Sequence, residues 1–178
     1  YSDRDDISTA MEYFYKSLDI AMEFNNKRSM RYAYSNIGES FMKMDEFDAA
    51  MEFFQKALKV ASQTGDKKGI SQTNSKLGQL YLKMGNLQKA LDYAIEAIQV
   101  AQEIGYPEEI RDAAAFLSKC YQEHGKYDKA LRYYDMEIKM SDSLLSEATQ
   151  RLVVQQEMKF DYDRRKLIQQ KKQEKIEA

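Results

Sequence analysis

The sequence predicts an all-α fold, a solenoid of antiparallel helix pairs that repeats about every 40 residues. The first observation is an internal repeat, because residues 77–97 have counterparts 40 residues earlier and 40 residues later. The second is the spacing of apolar residues, which recur at steps of three and four in every copy. The third is the breaker pair Gly85-Asn86 between the two helical patterns of one copy. A fixed period of this length indicates stacked helical repeats.

The period divides the chain into a truncated repeat and three complete helix pairs. The lone helix is predicted at 5–24, the pairs at 27–64, 67–104 and 107–144, and the whole solenoid at 1–145. Gly105 after one helix and Pro107 at the start of the next are the expected boundary residues. Because Tyr1 falls inside a repeat, the chain is expected to be a piece of a longer protein.

Residues 146–178 are predicted to form a separate C-terminal linker helix. This segment has no glycine or proline and is rich in the helix formers Arg, Lys, Gln and Glu. Val153, Phe160 and Leu167 recur every seven residues, which favours a coiled coil and a weak homodimer. Alternatively, its first half caps the end of the solenoid. The sequence leaves open whether this helix begins near Leu144 or continues from the last repeat.

Gly78 is unusual because it lies within a predicted helix, where glycine costs about 1 kcal/mol relative to alanine. Its missing side chain is expected to let a neighbouring helix approach closely. Ala90 and Ala50 fit the same need on the second helix of a pair, and Tyr81 and Phe41 would fill the space beside them. The glycine is therefore interpreted as a packing residue.

These residues resemble the tetratricopeptide repeat (TPR). The motif L-G-x-x-Y stands at Leu77, Gly78 and Tyr81, followed by Ala90 and Ala97. The first copy matches at Ile37, Gly38, Phe41, Ala50, Phe54 and Ala57, whereas the third has Ser118 for the glycine and Glu137 for the last alanine. The resemblance implies a right-handed TPR solenoid. Its helices are expected to be long, because the usual TPR period is about 34 residues.

The resemblance also implies a concave groove, lined by the first helix of each pair, that binds a protein or peptide. The groove positions are Tyr32, Ser35, Glu39 and Lys43, then Gln72, Ser75, Gln79 and Lys83, then Asp112, Ala115, Lys119 and Glu123. Ser35, Glu39 and Asp112 stand where some TPR modules use basic or amide residues to hold a C-terminal carboxylate. Binding of chaperone tails is therefore not expected, and the mixed polar wall suits a peptide or a protein surface.

The tail resembles a linker found in bacterial membrane-bound signalling proteins. The resemblance rests on residues 142–147 and 157–165 and on the Gln/Lys/Glu-rich run after them. In that class, a TPR array and linker precede a transmembrane helix and a histidine kinase, cyclase or DNA-binding output domain. The resemblance implies a sensory or scaffolding module, with the array on the periplasmic side. The alternative is a freestanding TPR adaptor or cytoplasmic regulator.

The composition favours no catalytic function. A single cysteine excludes an intramolecular disulfide, and no apolar run approaches the ~20 residues that span a bilayer. Cys120 and His124, with Glu123 beside them, suggest a metal pair or a nucleophile and its base, but no further ligand or orienting group is visible. A buried thiol and a polar turn histidine are the better interpretation. No cofactor, metal or catalytic residue is therefore expected.

Two further surfaces have ordinary interpretations. Residues 151–178 hold eight basic and five acidic side chains, and this mixture favours a solvated helix face over a nucleic-acid site. Six tyrosines at helical spacing are predicted to belong mostly to the core: Tyr13, Tyr15, Tyr32, Tyr34, Tyr133 and Tyr134.

Overall fold

The computed structural model describes residues 2–177, with side chains for 7–152, 154–156, 158, 159, 164 and 166. Within this part, the chain forms seven α-helices and no strand, so the predicted all-α fold is confirmed. The helices are α1 (Ser2–Glu23), α2 (Lys27–Lys43), α3 (Phe47–Thr64), α4 (Lys67–Lys83), α5 (Leu87–Ile104), α6 (Pro107–Glu123) and α7 (Tyr127–Glu177). None of the helices described has an apolar stretch long enough to cross a bilayer.

The chain divides into two compact units, Tyr1–Met140 and Ser141–Ala178. Helix α7 belongs to both units, because it runs without a break from the last repeat into the tail. This answers the question that the sequence left open. The side chains of the predicted dimer contact, Val153, Phe160 and Leu167, lie outside the described residues.

The turn within each helix pair is built around one residue with positive φ. These residues are Asp45, Gly85 and Gly125, with φ of 60°, 77° and 70°. Glycine adopts this left-handed backbone without a steric cost, and a short Asp tolerates it. The next amide then closes the helix end, as where the Asn86 N–H donates to the Tyr81 carbonyl at 2.8 Å. The breaker pairs therefore end the helices as predicted.

Small residues let the two helices of a pair approach closely. A Cβ atom on Gly78 would lie 2.5 Å from Cε1 of Phe116 and 3.2 Å from the carbonyl oxygen of Ala90. The predicted packing role of Gly78 is therefore confirmed. In the third copy Ser118 takes this position, and its hydroxyl donates to the carbonyl oxygen of Ala130 at 2.8 Å. The serine replaces close contact by a hydrogen bond.

The first helices of the pairs stand side by side, because α4 packs against both α2 and α6. The second helices α3 and α5 lie between successive first helices, with α3 on α2 and α4, and α5 on α4 and α6. The apolar core follows these contacts and includes Ile37, Phe54, Leu77, Leu80 and Leu117, all of them fully buried. One row of first helices thus forms a continuous wall within the unit Tyr1–Met140.

The prediction that the six tyrosines belong mostly to the core was wrong. Four of them are exposed, Tyr13, Tyr15, Tyr32 and Tyr134, whereas Tyr34 and Tyr133 are half-buried. Helical spacing identifies the face of a helix on which a residue lies. It does not indicate whether another helix covers that face, and this decides the exposure of the tyrosines.

Candidate functional site

A cavity of about 1000 Å³ opens along the wall made by α2, α4 and α6. All of its lining residues belong to these three helices. We call this cavity the inner groove. Its volume is at the upper end of the range typical of ligand-binding clefts.

Eleven of the twelve predicted groove residues line the inner groove. They are Tyr32, Ser35, Glu39, Gln72, Ser75, Gln79, Lys83, Asp112, Ala115, Lys119 and Glu123. Lys43 is not among the lining residues; it is exposed as the last residue of α2. Lys83 and Glu123, its counterparts in the next two copies, do line the groove.

Nine further lining residues were missed by the sequence reasoning. They are Arg31, Asn36, Met42, Ser71, Lys76, Leu82, Glu109, Ala113 and Phe116. Most of them repeat at the 40-residue period, as Asn36, Lys76 and Phe116 do. The period therefore contained the information that would have found these positions. The wall is wider than the single line of positions that the TPR resemblance supplied.

The charges in the groove are balanced. Its basic residues are Arg31, Lys76, Lys83 and Lys119, and its acidic residues are Glu39, Glu109, Asp112 and Glu123. Lys76 of α4 forms an ion pair with Glu39 of α2, and Lys83 lies 3.6 Å from Asp45. Lys119 and Glu123 have no ion-pair partner among the described residues. These two side chains therefore remain available to a ligand.

Burial affects the ionisation of Lys76. Desolvation lowers the pKa of its ammonium group, because the charged form loses contact with water. The adjacent Glu39 carboxylate acts in the opposite direction, since it stabilises the charged form. The ion pair also joins two neighbouring helices of the wall at the centre of the groove.

Cys120 and His124 do not form a reactive pair. The thiol of Cys120 is fully buried, and burial raises its pKa to about 11, so that it stays protonated at neutral pH. His124 is the residue that caps the C-terminal end of α6. No cluster of three or more His, Cys, Asp or Glu residues suited to a metal ion occurs in the part of the chain with described side chains.

The sequence model of the tetratricopeptide repeat matches residues 29–103 and 69–143, well over half of the chain. This protein belongs to the tetratricopeptide repeat family. The fold therefore agrees with the family that the Leu77, Gly78 and Tyr81 motif indicated. No curated protein sequence matches this TPR chain.

Solved structures with a similar fold include three bacterial-type TPR proteins of low sequence identity. BtubC (BKLC) from P. vanneervenii aligns over 79% of this chain and 58% of its own, with 17% identity and a TM-score of 0.68. A Rap protein complexed with competence and sporulation factor aligns over 78% and 39%, with 23% identity and a TM-score of 0.72. The Rap conjugation regulator of plasmid pLS20, in complex with the Phr* peptide, aligns over 81% and 40%, with 23% identity and a TM-score of 0.71. The TPR chain thus spans less than two thirds of each of these proteins, and the similarity shows the fold.

Proposed function

We propose that this TPR chain is a non-catalytic module that binds a peptide, or an extended segment of another protein, in the inner groove. The observation that carries the proposal is the groove itself, a cavity of about 1000 Å³ walled by three parallel rows of side chains. A cleft of this size accommodates several residues of an extended chain. Two Rap proteins of similar fold have been solved with a bound peptide or factor, which supports this class of ligand.

The chemistry of the wall favours a polar peptide of mixed charge. Four basic and four acidic side chains alternate with hydroxyl and amide groups such as those of Ser35, Ser75, Gln72 and Gln79. Nucleic-acid sites have a strong excess of basic residues, and the inner groove has none. The apolar surface of Phe116 provides a contact for one apolar side chain of the ligand.

Charge reversal in the groove tests the proposal. The double variant Lys83→Glu with Lys119→Glu leaves two basic and six acidic side chains on the wall. Both lysines are exposed, and surface ion pairs contribute only about 0–1 kcal/mol, so the variant should stay folded. Its affinity for acidic groove ligands should fall by about tenfold or more, because charge-assisted hydrogen bonds are replaced by repulsion.

An array of synthetic eight-residue peptides of varied charge provides the measurement, with the full chain as the probe. Lys59→Glu is the matched control, since Lys59 is exposed on α3 and lines none of the described cavities. The proposal fails if the wild-type chain retains no peptide. It fails equally if the double variant and the control retain the same peptides with the same affinity.

We place this module in a bacterial signalling protein, as its sensory or scaffolding part on the periplasmic side of the membrane. The support is the resemblance of the tail sequence, residues 142–147 and 157–165, to linkers of that class. An apolar run of about 20 residues soon after Ala178 in the full-length gene product would agree with this placement. A stop codon or a further soluble domain at that point would favour a freestanding adaptor or cytoplasmic regulator.

The seven-residue spacing of Val153, Phe160 and Leu167 supports a weak parallel homodimer through residues 153–178. The positions that would complete the seam are Gln156 and other polar residues, which keeps the pairing weak. In sedimentation velocity, the full chain should shift to a larger species as its concentration rises, whereas a chain cut after Arg151 should not. Identical sedimentation of the two chains at every concentration would rule out the tail as the dimer contact.

A further inference from the structure

Arg31 is a buried arginine at the junction of two cavities. Its side chain is only 3% exposed, yet it lines both the inner groove and a second cavity of about 260 Å³. We call this second cavity the side pocket; it lies where the start of α2 meets the end of α3 and the start of α4. A buried guanidinium is costly unless its charge and its donors are matched by partners.

The partners of Arg31 within the protein are incomplete. Its Nε lies 2.9 Å from a carboxylate oxygen of Asp66, but the contact does not have the geometry of a hydrogen bond. Its guanidinium carbon lies 4.0 Å from the ring centre of Tyr32, a cation–π contact. A guanidinium has five N–H donors in a planar fork. Asp66 and Tyr32 leave donors of this fork without a partner among the described residues.

The backbone is shaped to hold Arg31 in this position. A Cβ atom on Gly69 would lie 2.6 Å from both Cδ and Nε of Arg31, so only glycine leaves room for the side chain. The same glycine donates its N–H to the Asp66 carboxylate at 2.8 Å. Asp66 thus caps α4 and faces the arginine at once, which fixes the guanidinium at the junction.

The side pocket has an excess of positive charge. Its lining contains Lys27, Arg28, Arg31 and Lys68, against the single carboxylate of Asp66. Lys68 is also 2.5 Å from Glu109, which faces the inner groove. The positive field acts on Tyr32: the hydrogen bond from Arg28, followed by the charge of Arg31, lowers the pKa of its hydroxyl against the opposing effect of burial.

We propose that the side pocket is an anion subsite of the inner groove, which holds a carboxylate or phosphoryl group carried by the bound peptide. Arg31 would face two oxygens of that group with its unmatched donors, and Arg28 and Lys68 would complete the charge balance. This inference rests on the proposed peptide-binding function. It adds that the peptide has an anionic group at the end that lies against the first turns of α2 and α4.

Peptide pairs that differ in one group test the subsite. Each eight-residue pair on the array is identical except for Asp against Asn, phosphoserine against Ser, or a free against an amidated C-terminus. We expect the wild-type chain to favour the anionic member of a pair by about tenfold or more. The three kinds of pair distinguish a side-chain carboxylate, a phosphoryl group and a terminal carboxylate as the source of the anion.

Two variants and one control then locate the effect. Arg28→Gln with Lys68→Gln, at positions that are not buried, should reduce the preference to near equality while peptides are still retained. Arg31→Gln should do the same if its circular dichroism melt shows that it is folded, and Lys59→Gln should keep the wild-type preference.

The outcomes separate the subsite from the groove. A preference that survives in the Arg28 and Lys68 double variant overturns the subsite, and so does the absence of a preference among peptides that bind. In both cases the groove proposal stands. If no peptide binds to the wild-type chain, the proposed function fails and the subsite fails with it.

Discussion

Phe54→Ala is expected to lower the free energy of unfolding by about 3–5 kcal/mol. The ring of Phe54 is fully buried on α3, in a cluster with Leu77 and Leu80 of α4. It also fills the space beside Gly38 of α2, where a Cβ atom would approach its ring to 2.8 Å. The side chain thus joins two successive helix pairs. Its removal leaves a cavity that the two small or helical neighbours cannot close by a local shift.

Urea unfolding followed by circular dichroism measures this loss. Phe24→Ala is the matched control, because it makes the same chemical change at a ring that is 74% exposed on the end of α1. That variant should stay within about 0.5 kcal/mol of the wild type. Equal losses in the two variants would show that Phe54 does not join the repeats.

The repeated contacts could be predicted from the sequence because the period of 40 carries them in each copy. Gly78 with Ala90, and the turn residue Gly85, follow from a pattern that is local to one helix pair. Local patterns of spacing and breaker residues fix helix ends and the face of each helix. The structure agrees with the predicted fold for this reason.

The exposed tyrosines show where local pattern fails. Tyr134 falls 40 residues after Ala94 and 80 after Phe54, and both of these are fully buried. Tyr134 itself is 52% exposed. The earlier two residues lie on second helices that a following first helix covers, as α6 covers α5. Burial depends on the neighbour as well as on the helix, and a position at the end of an array has the same pattern without the same neighbour.

The side pocket was beyond the sequence for a related reason. The counterparts of Arg31 in the next copies are Ser71 and Arg111, so the period gives no consistent residue there. The pocket depends on Asp66 and Gly69, which lie in the connection between pairs and at the start of α4. Only the packing of α2 on α4 brings these residues together. Inner-groove residues, in contrast, largely follow the repeat.

Gly78→Leu is expected to lower the free energy of unfolding by about 1–3 kcal/mol, and by more if the wall cannot adjust. Two neighbours oppose any side chain at this position, the buried ring of Phe116 and the backbone carbonyl of Ala90. The ring can move only into its own packed surroundings, and the carbonyl belongs to the first turn of α5. A leucine therefore forces α4 away from α5 and α6 together, at the centre of the array.

The measurement is again urea unfolding, with Gln79→Leu as the control. Gln79 is the next residue on α4, but it is exposed, so leucine there meets no packed neighbour and should change stability by no more than about 0.5 kcal/mol. An unfolding free energy of Gly78→Leu that equals the wild-type value would contradict the packing role of the glycine. Because Phe116 also lines the inner groove, the displaced ring should in addition alter which peptides the folded variant retains. A loss of stability with unchanged peptide selection would mean that the array yields elsewhere, on the α5 side, and leaves the wall of the groove in place.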